Sequence, residues 1–367
     1  MEKVGPHLIG RRLRQAVRLP DGDLLYAKDQ TLTAFDIDFL RAFQIQAVDV
    51  YAEEKSDMRG SLKGDSRGSL KGDERTDLSP CGSAHIFPPD EIQRFKQTLK
   101  EHVHTGPLPI ATLLEMIRAW QGAPSPTTQF FTLLPPLRKR PVVDMEAYLA
   151  EHALYTARLT FYFATQLGFS DKLKERLALA GLLADIGMWR LPPSVFWHRE
   201  TYTEAMRKTM ETHVSLSFER LKAQVGLTKE TLAAVLAHHE RFDGSGYPLR
   251  LTDDRLPLVT NMVAYADSIH AALTPRPYRP AKTLGEVLIE LGGAKRHLYD
   301  PALFEVLERA FQALPPIVTV RFRDGAILSV QKPSSWQDPW YPSDTEGKPP
   351  LSLSEIARIC LDARDES

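Results

Sequence analysis

From about Asp144 to Leu314 the apolar residues recur at helical spacing, segment after segment, and two acids fall where that pattern demands hydrocarbon. The segments run Tyr148 to Leu167, Asp171 to Leu183, Thr203 to Val225, Lys229 to His239 and Val259 to Leu273, with Ser170, Thr201 and Thr228 in N-cap position. Asp185 sits in Leu182-Leu183-Ala184-Asp185-Ile186-Gly187, and Asp267 in Val263-Ala264-Tyr265-Ala266-Asp267-Ser268-Ile269. A carboxylate among such neighbours is buried, and burial is tolerated when the charge is paired or bound to a cation. The pattern therefore predicts an all-helical domain that carries polar residues on its inside.

Six residues of this domain are candidate metal ligands: His152, Asp185, His213, His238, His239 and Asp267. Each lies in a helix-like segment or at its end, so side chains from several helices can converge on one cavity. Taken singly, either acid reads as a helix cap or a buried ion pair, and His238-His239 reads as the solvated end of a helix. Taken together they read as a cation site. Nitrogen and oxygen donors without sulfur favour iron, manganese or zinc over magnesium or calcium. Directly after the histidine pair comes an acid-rich glycine turn, and the whole string is His238-His239-Glu240-Arg241-Phe242-Asp243-Gly244-Ser245-Gly246-Tyr247-Pro248.

The rest of the 367 residues divides by composition. Residues 1–52 read as a small α+β module. Ala16 to Ala27 is a hairpin turning on Asp21-Gly22, Thr33 to Phe43 has helical spacing, and Ile45 to Tyr51 is a closing strand. Residues 53–83 carry a short polar repeat, Arg59 to Asp65 and again Arg67 to Asp73, which cannot bury a face and reads as a flexible linker. Residues 84–141 form a helical connector that becomes proline-rich after 124, residues 142–314 the helical domain, and residues 315–367 a hairpin turning at Arg323-Asp324-Gly325 and a short helix from about Ser352 to Leu361.

A formal net charge of -1 excludes general binding to nucleic-acid polymers or anionic membranes, so phosphate recognition falls to a few placed cations. Cys81 and Cys360 are far apart and lack metal-type spacing, which predicts free thiols. No apolar run approaches the roughly 20 residues that span a bilayer. A cytoplasmic location is expected.

The string from His238 to Pro248 resembles the signature of the HD-GYP family, a bacterial branch of the HD phosphohydrolase superfamily. The resemblance extends to His152, Ala184 to Gly187, His213, Asp267 and Thr274 to Arg279. It implies a mainly α protein: an HD-type helical bundle with small strand-containing N-terminal and C-terminal modules. It also implies a metal-dependent phosphodiesterase in signal transduction that converts cyclic di-GMP to pGpG or GMP at two or three metals, commonly iron or manganese. Asp185 would bridge two metals, with His213, His238 and His239 completing one site and His152 and Asp267 belonging to the other. Arg276 and Arg279 match cations that hold substrate phosphate. Gly244, Gly246, Tyr247 and Pro248 would shape a substrate-binding loop, and GGDEF-type or other signalling proteins would be partners.

The chain departs from the family pattern at three positions. Ala184 stands where the histidine of the HD pair belongs, so the His152–Asp267 site loses a nitrogen. Met188 replaces a lysine placed to stabilise phosphate charge, a loss that typically costs on the order of 10²–10³-fold in rate. Tyr148 replaces an acid that some members use for a third metal, so one or two metals are expected. Two readings follow: a phosphodiesterase of reduced activity, or an inactive module that binds cyclic di-GMP or a protein and regulates.

Overall fold

The computed structural model describes residues 86–121, 127–135, 144–196, 203–252, 255–276, 279–343 and 349–361, together with parts of the first 51. They fall into two units, Met1–Leu78 and Ser79–Ser367. In the first unit, β1 (Glu2–Lys3) pairs antiparallel with β4 (Ala47–Val48), while β2 (Val17–Arg18) pairs antiparallel with β3 (Leu24–Tyr26). The expected hairpin and closing strand are therefore present. The Arg11 guanidinium donates to the Tyr51 carbonyl and to Glu2, tying β1 to the segment that follows β4. The linker at 53–83 and most of the helical spacing at 33–43 lie outside the described residues.

The second unit begins with α1 (Pro89–His102), which has proline in its first turn, and α2 (Ile110–Arg118). Single side chains set most of the later helix starts by accepting backbone N–H groups. Asp144 caps α3 (Met145–Gln166) and Ser170 caps α4 (Asp171–Leu183). After a short α5 (Pro193–Phe196), Thr203 caps α6 (Glu204–Leu221) and Thr228 caps α7 (Lys229–Ala237). The expected cap at Thr201 is thus replaced by Thr203, and Thr201 lies outside the described residues. α8 (Leu258–Leu273) follows a proline, α9 (Leu284–Gly292) opens with a Thr283–Glu286 capping box, and Asp300 caps α10 (Pro301–Gln312).

α3 is the axle of the bundle. From Tyr148 to Ala164 every residue except Arg158 is buried, the mark of a helix surrounded by others. It packs on α4, α8 and α1; α4 packs on α7, and α7 on α6 and α8. One apolar cluster runs from Phe87 through these helices to Ile359. The proline-rich connector contributes to it, because Phe130 and Phe131 in the 3-10 turn Thr127–Thr132 are buried.

The C-terminal segment forms an antiparallel sheet of four strands: β5 (Ile317–Phe322), β6 (Ile327–Gln331), β7 (Tyr341–Pro342) and β8 (Ile356–Cys360), in the order β7-β6-β5-β8. The hairpin is as expected, with Thr319 opposite Ser329. The expected helix at 352–361 is not: a 3-10 turn at Leu353–Glu355 leads into β8, whose Thr319–Cys360 register covers the second edge of β5. Its apolar residues fit either period, and an open strand edge beside it decides for strand. The expectation of a free thiol is likewise corrected for Cys360, which is disulfide-bonded. Cys81 lies outside the described residues. No described helix is long and apolar enough to cross a membrane.

Candidate metal centre

Asp185 takes its position from the way α4 ends. The helix gives way to a 3-10 turn, Ile186–Arg190, pinned to α6 by one hydroxyl. Ser217 Oγ accepts the Gly187 N–H at 2.8 Å and donates to the Ala184 carbonyl at 2.6 Å. Gly187 lies so close to α6 that a Cβ would stand 2.1 Å from the His213 carbonyl oxygen. Only glycine allows that approach, and it brings Asp185 beside His213.

The imidazoles are aimed by their own helices. His213 Nδ1 donates to the Met210 carbonyl and His238 Nδ1 to the Val235 carbonyl, each at 2.6 Å. That leaves each Nε2 as a lone pair facing inward. Asp185 Oδ1 lies 3.1 Å from His213 Nε2 and 3.5 Å from His238 Nε2. The two Nε2 atoms are 3.4 Å apart, and His239 Nε2 is 3.1 Å from that of His213. In the neutral rings the Nε2 atoms of His213 and His238, whose hydrogens are committed to carbonyls, cannot bond one another, and a cation between them would resolve the repulsion. The other carboxylate oxygen, Asp185 Oδ2, is 3.3 Å from His152 Nε2, which lies 2.7 Å from Asp267 Oδ1. Donor atoms of Asp185, His213, His238 and His239 all lie within 4.8 Å of one another, as do those of His152, Asp185 and Asp267. All six predicted ligands come together, and both sets fit a cation.

Burial works against protonation of His213, yet the Asp185 carboxylate beside it raises the ring above the usual imidazole range, and a cation would take the place of that proton. Burial also works against charge on Asp185, yet the imidazoles of His152, His213 and His238 gathered around it hold its carboxyl well below the usual range. Burial lowers His239 strongly, and the neighbouring His238 and His213 lower it further, so it stays neutral and ready to donate its lone pair.

The loop after His239 is tied down from within. Glu240 is fully buried, and its carboxylate accepts the N–H groups of Leu249 (2.5 Å), Arg250 (3.1 Å) and Leu251 (2.9 Å). Gly246 passes so near the chain that a Cβ would meet Glu240 Cα and the His239 carbonyl at 2.5 Å, and Gly244 adopts φ +75°. Tyr247 stacks on His239 at 4.7 Å between ring centroids, while Pro248 is exposed.

The two arginines do not converge. The Arg276 guanidinium lies 4.8 Å from the centre of the Tyr148 ring, and Tyr148 stacks on His152. Arg279 instead donates to the Ala271 carbonyl at 2.5 Å, at the C-terminal end of α8. Ala184 and Met188 are buried, and Met188 packs in a small apolar cluster with Tyr148, Leu149, Leu191 and Phe196.

Three residues that hold the site in place escaped the sequence reading. His270, fully buried, sets its Nδ1 2.7 Å from His152 Nδ1, so that the protonation of one ring is tied to that of the other. Its position three residues after Asp267, on the same helix face, was the available signal. Glu240 was visible inside the motif without a role, and Ser217 stands four residues after His213.

Residues 138–303 match the HD domain family. The "Cyclic di-GMP phosphodiesterase response regulator RpfG" of Xanthomonas campestris is 34% identical over 155 residues, covering 42% of this chain and 41% of that protein. A "Cyclic di-GMP phosphodiesterase" of Thermotoga maritima is 32% identical over 181 residues, 49% of this chain and 48% of its own. The "3'3'-cGAMP-specific phosphodiesterase 3" of Vibrio cholerae is 30% identical over 175 residues, 47% and 38% respectively. The chain spans less than half the length of these relatives. The helical bundle is an HD domain. Its His238–Pro248 string resembles the HD-GYP signature.

Proposed function

We propose that this chain hydrolyses cyclic di-GMP at a centre held by Asp185 with His213, His238 and His239 on one side and with His152 and Asp267 on the other. One observation carries the reading: the two oxygens of a single carboxylate face two separate donor sets. Iron or manganese suits these nitrogen and oxygen donors, and zinc would be accepted by the same set. A cation bound there would polarise a phosphodiester and lower the pKa of a water beside it.

The chain's own residues supply the rest. Asp185 fixes the two donor sets in register. Tyr247 holds the His239 ring by stacking, and Glu240 holds the loop that carries Tyr247. Arg276, seated on Tyr148 beside His152, offers a guanidinium to the phosphate. Gly244, Gly246 and Pro248 give the loop its path. Both a cyclic di-GMP phosphodiesterase and a 3'3'-cGAMP-specific one stand among the relatives, so the substrate class is a cyclic dinucleotide, with cyclic di-GMP the first choice.

A second reading has its own observation. Ala184 and Met188 put hydrocarbon, already packed and buried, where the family pattern has a histidine and a lysine. An inactive module that binds the dinucleotide and engages a GGDEF-type or other signalling protein would keep everything else. Metal-loaded protein mixed with cyclic di-GMP, followed by calorimetry for binding and chromatography for pGpG and GMP, separates the two. Product supports hydrolysis, binding without product supports the regulatory reading, and neither refutes both.

A further inference from the structure

Arg276 and Arg279 are three residues apart yet serve different places. Arg276 lies against Tyr148, next to the metal centre. Arg279 lines a cavity of about 320 Å³ that has Asp267 in its wall. Arg241, Lys282 and Lys295 line the same cavity, and the acids among its lining residues are Glu290 and Asp267. Asp267 belongs to the metal centre, which leaves Glu290 to balance four cations.

The pairing inside the cavity shows where charge is left over. Lys282 and Lys295 both reach Glu290, the latter at 3.4 Å. Arg241 donates to the carbonyls of His238 (3.3 Å) and Glu240 (2.8 Å) and to Ser268 Oγ (3.3 Å). Arg279 donates to the carbonyls of Ala271, Ala272 and Pro280. Both guanidiniums are thus held in place by neutral acceptors and keep their full charge for something else. Val287, Leu291 and Leu298 add apolar surface to the lining, and the Tyr299 ring lies 5.1 Å from the Arg241 guanidinium. A space of this size, lined by guanidiniums and ammoniums together with aliphatic and aromatic side chains, suits a phosphate joined to a flat ring rather than a bare ion.

We propose that this cavity is a phosphate-binding nucleotide subsite beside the metal centre, with Asp267 in the wall between them. The phosphate is either the second phosphodiester of a cyclic dinucleotide, which rests on the phosphodiesterase reading, or that of a separate mononucleotide, which does not. The test uses the full metal-loaded chain titrated calorimetrically with GMP and with cyclic di-GMP. In K282Q/K295Q, GMP affinity falls by about tenfold or more, and in E290Q, which frees both lysines, it rises severalfold. Both changes remove the same ion pairs, so a merely structural role would move the two variants in the same direction. If cyclic di-GMP follows GMP in sign, the phosphate is the substrate's; if GMP alone responds, it belongs to a separate ligand. If wild type binds GMP with these responses yet neither binds nor cleaves cyclic di-GMP, the phosphodiesterase reading falls and the subsite stands. Failure of wild type to bind GMP, or affinities unmoved in variants with unchanged metal content, overturns the subsite.

Discussion

At the scale of single residues the centre depends on how few atoms hold it. Asp185 serves both donor sets, so D185N removes them together. Elemental analysis should find a loss of metal affinity exceeding the roughly 10–100-fold that an outer-shell change costs. His270 is such an outer-shell residue. In H270A the His152 ring loses the partner to which its protonation is tied, and metal should fall in the His152–Asp267 set while the histidine-rich set keeps its ion. Equal loss from both sets would show that His270 acts on the bundle as a whole. Restoring A184H with M188K should raise hydrolysis of cyclic di-GMP, at a cost. Both positions are buried, and extra volume in a filled core destabilises by about 1–3 kcal/mol. More product from a protein that melts lower is the expected pair of results; unchanged hydrolysis with full metal loading would place the deficit elsewhere.

At the scale of elements, the contact between the 3-10 turn and α6 is the one to break. S217A leaves the Gly187 N–H and the Ala184 carbonyl without their partner, which should cost about 1–3 kcal/mol in a denaturant melt. Asp185 rides on that turn, so metal affinity should drop alongside; stability lost with metal binding intact would disconnect the two. The sequence made part of this legible. Helical spacing located α3, α4, α6, α7 and α8, and buried acids within it marked Asp185 and Asp267, because burial of charge needs a partner wherever it occurs. Ser217 was invisible, since a serine inside a helix carries no sign of what its hydroxyl meets across a helix interface. Arg276 and Arg279 were read as a pair because they are neighbours in sequence; the turn between them sends one to Tyr148 and the other to the end of α8. β8 was misread because Ile356, Ala357 and Cys360 satisfy a helix face as well as a strand, and only the open edge of β5 selects between them.

At the scale of the molecule, ligands drawn from α3, α6, α7, α8 and the end of α4 make metal and fold interdependent. Chelation should lower the melting temperature, and metal at about 100 times its dissociation constant should return about 2.7 kcal/mol. An identical melt with and without chelator would mean that the ligands hold their places unaided. The parts of the centre should also differ in how often they come apart. His152 sits in the stretch of α3 that is buried on nearly all sides, whereas Tyr247 rides on a loop with an exposed proline. In amide hydrogen exchange the α3 amides around His152 should open only when the whole unit unfolds, and those of 243–250 should exchange through small local openings. Traffic in and out of the centre would then pass by the glycine loop, while the axle behind it never lets go.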